Sequence, residues 1–235
     1  MSSLRLKSVI TGALLLSGIV AGIFSSLPVL ESPGYLPLLA EMSVGVYVAV
    51  FFQAMIACVY VGLACIFYTV LRSQEPTIAV FYFGFRIIGA AFLFLALVPL
   101  LVLLTMSEQY LQATDADLSA MQLQLETIAE LTRLSRDWIN HLAMILPWSI
   151  GGLFLYSGLL RSNLLPAWIT WWGLGSSVLT LASTLLLMLG LLKIVTPMYF
   201  VLNAPTALLE ITMAIYLFLR GFRTTDNKTA QPGFR

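Results

Sequence analysis

The sequence predicts an all-α, polytopic transmembrane bundle of six helices, with an extra amphipathic helix on the outer side between helices three and four. Three observations carry that prediction: an apolar composition, six long apolar runs, and a lopsided distribution of Lys and Arg. Of the 235 residues 60% are hydrophobic and only 10% charged, and the mean hydropathy is +0.95. A water-soluble domain carries about a quarter charged residues, so this chain has too few to cover a surface facing water. A net charge of +1 gives no field that would favour nucleic acid, and none is expected as a partner.

A bilayer core takes about 20 consecutive apolar residues per helix. Runs of that kind lie at 8–27, 43–71, 78–106, 138–160, 167–192 and 200–222. The first follows Arg5 and Lys7, as a signal peptide would, but it is long and the sequence Ser25-Ser26-Leu27-Pro28 is a poor cleavage site. It is expected to be a retained helix. Residues 1–223 then form one transmembrane domain, and 224–235 a polar tail expected to be disordered.

Orientation follows the Lys and Arg count. Arg5, Lys7, Arg72, Arg161, Arg220, Arg223, Lys228 and Arg235 fall on one side, against Arg133, Arg136 and Lys193 on the other. Both termini are therefore expected in the cytoplasm, with the chain in the cell inner membrane. Trp168, Trp171 and Trp172 open the fifth span at the inner interface, and Tyr35, Tyr110, Trp138 and Tyr199 mark the outer one. Membrane lipids are the first expected partners.

The connections are mostly short, so consecutive spans should be neighbours. Pro28, Pro33, Gly34 and Pro37 predict no regular helix over 28–40. The stretch 107–137 is different. Thr114-x-x-Asp117 and Ser119-x-x-Gln122 resemble helix-start signals, and Leu118, Met121, Leu125, Ile128, Leu131 and Leu134 recur at spacings of three or four. This predicts an amphipathic helix over about 115–137, running on towards the fourth span and resting on lipid or a partner. Pro99 and Pro147 interrupt the third and fourth spans and free the carbonyls of Leu95 and Ala143. Around the two inner connections, Tyr68, Leu71-Arg72-Ser73 and Pro76 echo Tyr156, Leu160-Arg161-Ser162 and Pro166, which reads as convergent loop chemistry.

The residues with the most chemical potential are two charges within the spans. Arg86 lies eight residues into the third span, about 12 Å from its start. Glu210 precedes Arg220 by ten residues, about 15 Å from the same side. Either charge alone costs about 2.5–3.5 kcal/mol or more at such depth, so similar depths predict a buried pair, as a packing clamp or a ligand site. Asn203, Thr206 and Ala207 share a face with Glu210; Gly173, Ser176, Ser177, Thr180, Ser183 and Thr184 form a small-residue ridge on the fifth span; Gln53 lies near the middle of the second. Such ridges more often pack helices than line ligand sites, yet with Arg86 and Glu210 they would bound a modest polar cavity.

Gly18-x-x-x-Gly22 is the sharpest close-packing motif, serving internal packing or a dimer seam. His141, the single histidine, lies near the outer end of the fourth span after Asp137 and Asn140, where a hydrogen-bonding interfacial role is expected. A single histidine excludes a bis-histidine haem, and His141 and Met144 on neighbouring turns cannot flank one iron. Ligand spacing for a metal is missing, as are phosphate-loop, dinucleotide and nucleophile motifs. Cys58 and Cys65 are seven residues apart in one run, too far along a helix for a disulfide. No cofactor is expected.

Phe85-Arg86, His141, Tyr156 with Arg161-Ser162 and Leu165-Pro166, and Glu210 with Leu219-Arg220-Gly221 together resemble a bacterial family of six-helix inner-membrane proteins, the domain-of-unknown-function family numbered 4386. The likeness covers most of the chain and is weakest over 107–137. Asn163 and Thr170 stand where that family tends to have Gly. The resemblance implies the six-helix architecture and draws attention to Arg86 and Glu210, but implies no activity. The first functional expectation is a non-enzymatic binder or transporter of a small amphipathic ligand or ion. An accessory subunit of a larger membrane complex, or a homo-oligomer, comes second, and an intramembrane enzyme using Glu210 or His141 as base third.

Overall fold

The computed structural model describes residues 3–112, 118–194 and 196–223. The expected tail at 224–235 lies outside them, as does the helix-start signal at 114–117. The described residues form nine α-helices: α1 (Ser3–Phe24), α2 (Tyr35–Glu41), α3 (Ser43–Leu71), α4 (Pro76–Leu95), α5 (Leu97–Gln112), α6 (Leu118–Trp138), α7 (Ile145–Arg161), α8 (Ala167–Met188) and α9 (Pro197–Leu219). A 3₁₀ turn, Pro28–Glu31, follows α1, and a π-helical turn, Ile139–Ala143, joins α6 to α7. Six helical runs are long and apolar enough to cross a membrane. The chain is an all-α, multi-pass membrane protein.

The ends of the helices follow local chemistry. Span three is broken at Ala96, where α4 stops and α5 begins, because Pro99 has no N–H for the Leu95 carbonyl. Upstream of Pro147 the helix relaxes into the π turn, with the Met144 N–H donating to the Ile139 carbonyl at 3.0 Å. Gly190 adopts φ +71° and stops α8 at Met188, earlier than expected, since only glycine takes that conformation cheaply. At 28–40 the expectation of no regular helix needs correcting. Pro37 is the third residue of α2, in the first turn where backbone N–H groups have no helical partner to lose.

The six spans form a closed ring. α1 packs on α3, α3 on α4, α4 on α7, α7 on α8, α8 on α9, and α9 returns to α1. Sequential spans are neighbours, as the short connections predict, and the sixth closes against the first. Closure is fixed where the termini meet. Arg5 donates to the Leu217 and Phe218 carbonyls at 3.2 and 2.5 Å, a cation on the negative end of α9. The Phe222 N–H donates to Ser8 Oγ at 2.9 Å.

Lipid tails are as apolar as leucine, so tight packing must hold spans together. Glycines do this at positions the Gly18 motif does not cover. A Cβ on Gly12 would meet the Ala214 carbonyl of α9 at 3.1 Å, and one on Gly173 the Tyr156 ring of α7 at 2.2 Å. Gly18 meets only Val59, at 3.3 Å, and Gly22 faces open space. The ridge on α8 is a packing surface: Ser176, Ser177, Thr180, Ser183 and Thr184 are all buried. Ser177 and Thr184 satisfy their hydroxyls on their own helix, donating to the Gly173 and Thr180 carbonyls.

α6 and α7 form one helical run with the π turn between them. The 41 residues from Met121 to Arg161 extend roughly 60 Å, about twice the 30 Å of a hydrocarbon core. α6 therefore projects beyond the membrane at the end opposite the termini. Leu125 and Ala129 pack there beside α2 and α5, whereas Met121, Leu123, Ile128, Leu131 and Leu134 remain exposed. The buried Ser107 hydroxyl clamps α2 to α5, accepting from the Ala40 N–H at 2.8 Å and donating to the Leu36 carbonyl.

Candidate functional site

The largest apolar core fills the end of the ring near the termini, built from residues such as Phe67, Leu71, Tyr82, Leu159, Ile169, Met213 and Leu217. Away from that plug the helices leave space. A cavity of about 190 Å³ lies between α3, α7, α8 and α9, lined by Tyr60, Met144, Ile145, Trp148, Thr180, Asn203, Thr206, Ala207 and Glu210. A larger vestibule of about 650 Å³ lies towards the α6 end and shares Tyr60, Met144 and Ile145 with it. The rest of the vestibule wall includes Gln53, Arg136, Asp137, Asn140, His141, Tyr199 and residues of the segment that follows α1, Glu31 among them.

Periodicity puts Glu210 in the smaller cavity. Asn203, Thr206, Ala207 and Glu210 recur at three and four residues along α9 and so share one face. Thr206 exchanges a hydrogen bond with Thr180 of α8 at 2.9 Å. Asn203 Nδ2 donates to Ser183 Oγ at 3.1 Å and to the Tyr199 carbonyl at 2.8 Å. With both amide hydrogens used, Asn203 has only its carbonyl oxygen left for a ligand.

The expected Arg86–Glu210 ion pair is absent. Ion pairs are found among the described residues at Arg133, Arg136 and Arg161, and neither Arg86 nor Glu210 takes part. The ring explains this: α4 and α9 stand three places apart in it, so equal depth does not make them neighbours. Arg86, 7% exposed, lays its guanidinium over Trp148 at 4.3 Å and near Tyr82 at 5.6 Å. Aromatic faces are thus its main compensation, and its Nε makes no hydrogen bond. Its charge acts on Glu210 only through space. Arg86 lies behind Trp148 and does not line the cavity.

The π turn displays Asn140 and His141 in the vestibule, and single π turns often mark functional sites. His141 Nδ1 lies 2.8 Å from Tyr199 Oη, the hydrogen-bonding role expected of it. Gln53 faces the vestibule instead of Glu210, donating to the Leu93 carbonyl at 3.2 Å and to Asn140 Oδ1 at 3.3 Å. Arg133 bonds Glu130 and Asp137 at 2.7 and 3.0 Å, and Arg136 approaches Asp137 at 3.9 Å. Tyr35 and Tyr199 are buried within the protein. Tyr35, on α2 beyond the spans, keeps a buried hydroxyl without a partner, and burial pushes its phenol up to about 12.

A family model described as a domain of unknown function (DUF4386) matches residues 10–221. The chain belongs to the DUF4386 family. That match covers all six spans of this DUF4386 chain from Ile10 onwards, with the cavity and vestibule inside it. No curated protein and no solved structure matches it.

The sequence pattern singled out neither Tyr60 nor Trp148, and gave Arg136 and Asn140 no place in a site. A signal was present for the first two. Tyr60 and Trp148 sit well inside spans, where a hydroxyl or indole N–H needs a partner or a cavity; Tyr60 lines the cavity, and the Trp148 N–H is buried without a partner.

Proposed function

We propose that this DUF4386 protein binds a small amphipathic molecule within the inner membrane, with both termini in the cytoplasm and the ligand site at Glu210. One observation supports the reading above others: a mid-bundle cavity with apolar walls on α3 and α7 and convergent polar groups on α8 and α9. Pockets with this division of labour are the usual form of a small-molecule site. The vestibule suggests access from the α6 end, and the packed core opposes access from the end bearing the termini. Transport is one version of this function. Glu210, Asn203 and Thr180 are the proposed contacts, Gln53 belongs to the access route, and Arg86 acts indirectly by holding Trp148.

Native mass spectrometry after gentle extraction tests the reading. Wild-type protein is expected to carry a small-molecule adduct that Ala207→Phe, which fills the cavity, removes without lowering the thermal midpoint. Indistinguishable spectra for the two proteins would overturn it.

A second reading has its own support. The exposed apolar stripe of α6 suits an accessory subunit docked on a larger complex, and a protein co-purifying at fixed stoichiometry that is lost on Leu131→Glu would favour that. The enzymatic reading has less: His141 is engaged by Tyr199, and Glu210 meets no nucleophile or second carboxylate.

A further inference from the structure

The charge lining the smaller cavity is of one sign. Glu210 lines it, and no hydrogen bond or ion pair joins its carboxyl to the described residues. Asn203 has spent both donors on Ser183 and Tyr199, leaving Oδ1 as an acceptor. Thr206 and Thr180 exchange one hydrogen bond at 2.9 Å, so the pair keeps lone pairs and one hydroxyl proton to offer. Arg86 is stacked on Trp148 and does not line the cavity. Trp148 Nε1 is shut inside the protein and does not reach it. One side of the cavity thus offers oxygen acceptors including a carboxylate. The other, formed by Tyr60, Met144, Ile145 and Trp148, offers aromatic and aliphatic surface with one phenol hydroxyl.

We infer that the Glu210 cavity takes an organic ammonium compound, its charged nitrogen on Glu210, Asn203 and Thr206 and its hydrocarbon against Tyr60 and Trp148. An anion would meet the Glu210 carboxylate, with only the Tyr60 and threonine hydroxyls to donate to it. A bare metal ion would need oxygen ligands on all sides, and here they occupy one. A neutral molecule would leave the carboxylate without a counter-charge in a low-dielectric site. Aromatic faces also favour an alkylammonium by attraction of the cation to the ring. The inference rests on the cavity being a binding site and adds its charge selectivity.

Three probes of nearly the same shape separate these possibilities: 2-phenylethylammonium, 2-phenylethanol and 3-phenylpropionate, titrated by calorimetry into the detergent-solubilised full chain. Wild type is expected to bind the ammonium tightest, the alcohol about ten- to hundredfold more weakly, and the carboxylate not at all. Glu210→Gln should bring ammonium affinity down to that of the alcohol, and Asn203→Leu should lower it by a smaller factor. The wild-type ranking needs no variant, so a poorly folded Glu210→Gln protein leaves the test intact. Equal affinity for ammonium and alcohol, or tighter binding of the carboxylate, would overturn the charge selectivity while leaving the binding site in place. Failure of all three probes to bind overturns both.

Discussion

Gly173→Ala is expected to cost more than any other single-methyl addition in the bundle. The new Cβ would stand 2.2 Å from Tyr156 Cδ1 and 2.4 Å from Cε1 and Cγ. Tyr156 is only 5% exposed, so its ring has no free space to turn into, and α7 and α8 must separate. Overpacking of this kind costs about 1–3 kcal/mol and occasionally more, and a rigid ring on one side places this case at the upper end. The measurement is the thermal midpoint of monodisperse protein in detergent. Gly152→Ala should fall less, because its Cβ meets the small Ser177 hydroxyl at 2.6 Å, which has other rotamers. Gly22→Ala should change nothing, since open space surrounds it. Combining Gly173→Ala with Tyr156→Ala should cost less than the sum of the two, as expected for residues in direct contact. Strict additivity would contradict the proposed contact.

Arg86→Ala is the second large effect. It removes a cation stacked on two rings in a dry environment, an interaction of about 2 kcal/mol, and leaves Trp148 unsupported beside the cavity. Arg86→Lys should recover only part of the stability, because an ammonium keeps the charge but lacks the flat guanidinium surface. The double exchange Arg86→Glu with Glu210→Arg is expected to be no more stable than the worse single variant. It would set a carboxylate against the electron-rich Tyr82 and Trp148 faces without making a pair. Rescue by the exchange, read from thermal midpoints and expression in the membrane fraction, would show instead that the two charges touch.

These expectations mark where sequence was sufficient and where it stopped. The six spans could be read because each needs its own apolar run, and the breaks at Pro99 and Pro147 because proline removes a particular hydrogen bond. The continuous α6–α7 run could be read from an apolar period free of Gly and Pro. Contacts between distant spans could not. Arg86 and Glu210 share a depth, but depth is one coordinate, and the order around the ring decides which side chains meet. The Gly-x-x-x-Gly pattern left its use open for a related reason: spacing identifies a flat face, and only the neighbour determines whether the face is used within the ring or between copies. Gly12 and Gly173 are used, and nothing in their own spacing distinguishes them. Tyr60 and Trp148 were legible in principle, as polar aromatics too deep for an interface. Gly190 and Pro37 corrected helix limits by local rules, one through its positive φ and the other through its place in a first turn.

Side-resolved thiol labelling distinguishes a Glu210 cavity reached from the end of the bundle opposite the termini from one reached from the end that bears them. In a background carrying Cys58→Ser and Cys65→Ser, an Ala207→Cys protein is reconstituted in oriented vesicles. It is then exposed from each side to membrane-impermeant cationic or anionic thiosulfonates. Labelling is expected from the α6 side, faster with the cation than with the anion, and little from the side of the termini. Labelling only from the side of the termini, or none from either, would contradict access from the α6 end.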